Sequence, residues 1–139
     1  MDTKKGYEHL SDEEFLSGFE ESRLAPGNFH HRDHVRLAWI CVRRFGRLAA
    51  EERLLRGIRK MAEQAGVPEK FLYTTTVVWV RLVAARQPQA EGHEKFDDWI
   101  ANWPELLNKN LLDEYYSAGK LESAQARIGW LEPDRKPVG

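Results

Sequence analysis

The chain reads as all-α, a single compact bundle of about five to six helices. Three observations predict this. Apolar residues recur at three- and four-residue steps along most of the sequence, the spacing of a buried helix face. Capping residues, glycines and prolines fall where such stretches start and stop. The one run rich in β-branched residues, 74–80, has no partner strand, and a lone strand would leave its backbone groups unpaired.

The elements follow in order. Ser11-Asp12-Glu13-Glu14 is a capping box. Phe15, Leu16 and Phe19 then give a first helix its apolar stripe, to about residue 24. Ala25-Pro26-Gly27-Asn28 breaks it, and Asn28 is the expected cap of a second helix over residues 29–45. Val35, Leu37, Ala38, Trp39, Ile40 and Val42 wrap most of that helix, so it should be central. A third helix is expected over 49–65, with Leu48, Leu55, Ile58, Ala62 and Ala65 on one face and Gly66 as its terminator.

Residues 68–87 are read as a fourth helix and 87–92 as a loop. Phe96, Trp99, Ile100 and Trp103 suit a short amphipathic helix. Pro104 opens another, with Leu107, Leu111 and Tyr115 on one face. A last turn is expected over 123–127, and from Glu132 an extended tail lying on the surface, with Trp130 pinning it.

At 139 residues the chain is long enough for one domain with a real core. Lys and Arg number 21 against 22 Asp and Glu, a balance that argues against a dedicated nucleic-acid binder. The single cysteine, Cys41, precludes an intrachain disulfide and fits a reducing compartment. Residues 1–6 lack the apolar region of a signal peptide, and the longest apolar run, 37–42, is too short to span a bilayer. The expectation is a cytoplasmic protein with no membrane partner.

The best functional lead is a histidine cluster. His30, His31 and His34 are three of the five histidines, and they open the most apolar helix. On a helix His31 and His34 lie roughly 60° apart and His30 and His34 roughly 40° apart, so either pair can converge. His30 and His31 diverge by roughly 100° and do not share a ligand easily. A helix N-terminus disfavours imidazolium, and neutral imidazole is the form that ligates metal or accepts a hydrogen bond. Asp33 is placed to bond a ring nitrogen. His-x-x-His lacks the second half of a standard zinc motif, so a divalent metal on His31 and His34 stands beside a metal-free polar pocket and a purely structural role.

These residues resemble a signature. Phe29-His30-His31-Arg32-Asp33-His34-Val35-Arg36-Leu37-Ala38-Trp39 is similar to the aromatic-x-His-x-x-His-Val/Leu-Arg-x-Ala-Trp opening of a family of small, largely uncharacterised all-helical bacterial proteins. Tyr115-Tyr116-Ser117 and Ala126-Arg127-Ile128-Gly129-Trp130-Leu131-Glu132-Pro133-Asp134 resemble its C-terminal motif. The family's middle motif, Tyr-His-Glu-Thr-x-Thr, is degenerate here as Phe71-Leu72-Tyr73-Thr74-Thr75-Thr76. If the family site held metal, Leu72 would stand in place of a third histidine and Tyr73 in place of a glutamate. The resemblance then implies a changed polar pocket with Thr74, Thr76 and Trp79 as walls, and it supplies no reaction.

The resulting expectation is a small-molecule-binding or enzymatic domain with a pocket between the second and fourth helices. His34 is its acid/base or hydrogen-bonding centre and His31 its partner. Arg36 is the anion anchor, Thr76 and Trp79 are walls, and Tyr115 faces the pocket from another helix. The alternatives are a homo-oligomeric interaction module using a Trp99/Trp103 face, and a metal-dependent enzyme. The basic stretch from Arg43 to Lys60 is interleaved with Glu51 and Glu52 and reads as a solvated, ion-paired face. Cys41 lies at i+7 from His34 and reads as a core residue.

Overall fold

The computed structural model describes residues 7–86, 88 and 94–138. They contain six α-helices and four 3-10 turns and, among the described residues, no strand. Helix α1 spans Asp12–Glu20, with the expected reciprocal bonds between Ser11 and Glu14. It stops short of residue 24 because Ser22 adopts a left-handed φ of 60° and the chain folds back. Leu24 then packs so closely on Gly18 that a Cβ there would sit 2.9 Å from the leucine.

Helix α2 spans His31–Phe45 and is capped by His30, not Asn28. Pro26–Asn28 forms a 3-10 turn, and Phe29 and His30 are extended. The Asp33 carboxylate accepts a bond of 2.9 Å from the His30 backbone N–H, a role more favourable at a helix start than the ring contact expected from sequence. Gly46, with φ 87°, is the single-residue joint to α3, Arg47–Gln64. Gly66, with φ 77°, ends α3 as expected, and the next N–H, of Val67, bonds back to the Ala62 carbonyl.

The expected fourth helix is split. Pro68–Lys70 is a 3-10 turn, Phe71 and Leu72 are extended, and α4 runs over Tyr73–Ala85. The break lets Phe71 turn inward, under the Arg59 guanidinium. The β-branched run is helical because it is enclosed: Val77, Val78, Val80 and Val83 are all at most 2% exposed, and packing overrides their local preference. The expected loop at 87–92 lies outside the described residues, except for Pro88.

Helix α5 is Phe96–Ile100. The helix expected from Pro104 is replaced by two 3-10 turns, Pro104–Leu107 and Lys109–Glu114, parted at extended Asn108. The three-residue period puts Leu106 inside and leaves Leu107 42% exposed, while Leu111 and Tyr115 are buried. Helix α6, Ala124–Ile128, starts at the Ser123 cap.

Helices α2, α3 and α4 pack mutually around the core, with α1 and the Pro104 turn closing over α2. Because α3 returns along α2 and α4 then reverses again, α2 and α4 begin at the same end of the bundle. The tail crosses α4 and is held there. Thr74 Oγ1 donates to the Gly129 carbonyl at 2.7 Å and accepts from the Leu131 N–H at 3.0 Å. Tyr116 donates to the Leu131 carbonyl at 2.6 Å, and the Arg81 guanidinium lies over the Trp130 ring.

One contact tests this packing. An added Cβ on Gly57 of α3 would fall 2.1 Å from Phe19 Cζ of α1. Gly57→Ala should therefore lower stability by about 1–3 kcal/mol through overpacking. Gly27→Ala, which meets nothing within 4 Å, should stay within about 0.5 kcal/mol of the parent in urea unfolding.

Candidate functional site

The shared starting end of α2 and α4 opens on a cavity of about 750 Å³. His31 and His34 enter it from α2, Leu72, Thr75 and Trp79 from the α4 side. Ile58, Met61 and Ala62 of α3 form a further wall. Phe29 and Leu112 complete the apolar surround, while Lys70, Lys109, Asp113 and Glu122, all exposed, belong to its rim.

His31 Nε2 lies 2.8 Å from the Leu106 carbonyl oxygen. A carbonyl only accepts, so Nε2 carries the proton and the neutral ring keeps a lone pair on Nδ1. The ring also meets Trp79 edge-on, with centroids 4.4 Å apart. Burial lowers the His31 pKa; its bond to Leu106 opposes this and Lys109 assists it. His31 is therefore neutral and fixed in tautomer and orientation.

His34 is the residue without a partner. Its Nε2 is inaccessible to solvent and makes no hydrogen bond. Burial first, and His31 second, pull its pKa down to about 3. The same is true of a hydroxyl across the cavity: Thr75 Oγ1 is buried and unpaired. Among the described residues only three buried side-chain polar atoms lack a partner, and two of them line this one cavity. Since buried polar groups are nearly always bonded, such a pair marks a place where a partner belongs.

Several sequence expectations move. Arg36 is on the far side of α2, where it bonds Asp12 at 2.9 Å and the carbonyls of Tyr7 and Leu10 at 3.0 and 2.7 Å. It lies two residues from His34, or roughly 200° around the helix, so it cannot share the histidine's face. It is an internal tie for the N-terminal segment, with its guanidinium over Phe15. Thr76 is buried and donates to the Leu72 carbonyl at 2.9 Å, within its own helix. Thr74 is taken by the tail. Tyr115 is buried under Lys136 and is not part of the cavity wall. His31, His34 and Trp79 all line the cavity.

The residue missed is Thr75. It stands four before Trp79, roughly 40° around the helix, whereas Thr76 is roughly 60° away on the other side. That spacing was the available signal. Leu72, three before Thr75, lines the cavity too.

Cys41 is buried in the core and its thiol is pushed up to about 12, which leaves it protonated and unreactive. His9 is exposed and lies away from the cluster, lining a separate polar cleft; His93 lies outside the described residues. Trp99 packs in the core against Trp39 and Phe96, while the half-buried Trp103 lies under Arg86. The basic stretch is ion-paired at Arg44 with Glu13, Arg47 with Glu51 and Arg53 with Glu20. Among the described residues no three His, Cys, Asp or Glu side chains are grouped to hold a metal ion, and Leu72 presents an alkyl group to the two histidines' cavity. No helix among the described residues is long and apolar enough to cross a membrane.

Comparison with protein families, curated proteins and solved structures finds no match.

The half-buried His34, whose Nε2 is sealed from solvent, ties stability to pH. Its folded pKa is depressed, so the unfolded chain takes up a proton first as pH falls. Stability is full above the ordinary histidine range and is lost between about pH 6.5 and pH 3. His31 adds to the same slope; Asp33, whose burial raises its pKa, opposes it at the acid end. His34→Gln should flatten the decline, read as the shift in urea midpoint between about pH 7 and pH 5. Separately, Arg36→Ala should cost about 1–3 kcal/mol by removing the bonds to Asp12 and to the carbonyls of the half-buried Tyr7 and Leu10. Milder Arg36→Lys should keep cavity binding unchanged in the folded fraction, as followed by NMR.

Proposed function

We propose that this chain is a helical small-molecule-binding domain, with His34 as the hydrogen-bonding centre of its pocket and His31 as the oriented partner. The single observation that carries this reading is that His34 and Thr75, each with an unpaired buried polar atom, both line one cavity. The cavity volume lies within the usual range of roughly 300–1,000 Å³ for ligand sites, and its mainly apolar wall with a few polar groups is their usual character.

Between binding and catalysis, the electrostatics favour binding. A general base works best with a pKa near the operating pH. His34, at about 3, is a weak base at neutral pH. With Arg36 on the opposite face, no guanidinium is at hand to stabilise developing negative charge. Any acid/base role for His34 requires a ligand that raises its pKa. Metal-dependent chemistry draws no support from the donor set, since two imidazoles alone, one already bonded through Nε2, make a weak site. The likeness to a family of small helical bacterial proteins supports the choice of these residues but supplies no substrate.

Titration of the full-length chain with benzyl alcohol, followed in ¹⁵N–¹H spectra, tests the reading. Shifts should concentrate at His34, Thr75 and the Trp79 indole, and Ala62→Trp, which fills the cavity, should remove them. A combined His31→Ala and His34→Ala variant should keep its helical circular dichroism and lose the shifts. Shifts scattered over the surface, or untouched by Ala62→Trp, would overturn the assignment.

A further inference from the structure

The basic stretch of α3 divides in two. Arg47 and Arg53 are ion-paired, with Glu51 and Glu20. Arg56, Arg59 and Lys60, further along the helix, make no ion pair and no hydrogen bond through their side chains among the described residues. All three line a groove of about 450 Å³, separate from the histidine cavity. Leu55 and Tyr73, the first residue of α4, line it as well.

The break before α4 builds this groove. Phe71 and Leu72 are extended, and side chains alternate along extended backbone. Leu72 accordingly lines the histidine cavity and Tyr73 the groove, while Phe71 lies beneath Arg59, whose guanidinium carbon is 4.8 Å from the ring centre. An aromatic face holds a guanidinium without using its N–H donors. The forked edge of Arg59 is therefore both positioned and available.

Charge along the groove suits one compact anion. Glu52, Arg56, Arg59 and Glu63 follow at steps of four, three and four and share a face of α3, with Lys60 one turn after Arg56. From Arg56 to Lys60 the helix rises about 6 Å. The carboxylates of the groove belong to its two ends, Glu52 before the cations and Glu63 after them. A nucleic-acid strand continuing along α3 would meet an acid in either direction. A single phosphoryl group meets cations only, and two guanidinium forks match its oxygens better than point charges do.

Independently of the pocket reading above, we infer that this groove is a second binding site, for the phosphate monoester of a small molecule, its dianion held by Arg56, Arg59 and Lys60.

Phenyl phosphate, benzoate and a short DNA duplex test it, each titrated into the full-length chain and its variants by NMR in low salt. At about pH 7.5 a phosphate monoester is mainly the dianion. Phenyl phosphate should shift the Nε–Hε signals of Arg56 and Arg59 and the Tyr73 amide, and should bind at least about fivefold more tightly than benzoate. Arg56→Gln should weaken it about three- to fivefold. Arg59→Lys, which keeps the charge and loses the fork, should weaken it about threefold. Arg44→Gln removes the same charge at an ion-paired position outside the groove and should leave binding nearly unchanged. An Arg44→Gln loss as large as that of Arg56→Gln would reduce the effect to net charge and overturn the site. Benzoate binding as tightly as phenyl phosphate would overturn the ligand class. Tighter binding of the duplex would assign these cations to a polymer instead. Benzyl alcohol shifts at His34 should persist in Arg56→Gln, so the two sites fail or stand separately.

Discussion

Everything in this fold turns on the enclosure of α2. Val35, Leu37, Ala38, Trp39, Ile40 and Cys41 are all at most 1% exposed, so the helix must be covered on every side. Burial of side chains of this size contributes about 1.5–3 kcal/mol each relative to exposure. One layer cannot supply that cover, and α1, α3, α4 and the Pro104 turn share it. The requirement weakens at both ends of the helix: at the last turn, where Phe45 is 37% exposed, and at the first, where the sequence changes from aliphatic to imidazole. At that first turn the neighbouring elements stand off, and the space they leave is the candidate site.

Polar groups along α2 and the start of α4 divide by whether the fold itself satisfies them. His31 is tied to Leu106, Thr76 to Leu72, Thr74 to the tail and Arg36 to Asp12 and two carbonyls. These are structural bonds, and they account for residues that look chemically promising in isolation. His34 and Thr75 have no such bond. Leaving two buried groups unsatisfied costs roughly 1–3 kcal/mol apiece, a burden that a bound molecule would relieve. The candidate site is therefore picked out by what the fold leaves undone and not by where histidines are densest.

The helical class, the capping box at Ser11, the stop at Gly66 and the centrality of α2 were legible because each is set by local chemistry and burial period. The inward placement of His31, His34 and Trp79 was legible for the same reason. What escaped depends on tertiary choice. The break at Phe71 and Leu72 arises because one aromatic ring is drawn inside, and no nearby residue announces it. The 3-10 path after Pro104 depends on which of Leu106 and Leu107 faces the core. The choice of Thr76 over Thr75 failed on a single 100° step, where both hydroxyls fit a helical pattern and only the neighbouring elements decide. Arg36 was misread although its angular offset from His34 was available.

The first turn of α4 serves two masters. Thr74 grips the crossing C-terminal segment, and the very next residue, Thr75, lines the cavity. Adjacent positions on one rigid turn cannot shift independently. The crossing segment is fixed further along by the Ser117 hydroxyl, which donates to the Asp134 carboxylate. The far terminus is thus bonded to the same turn that lines the candidate cavity.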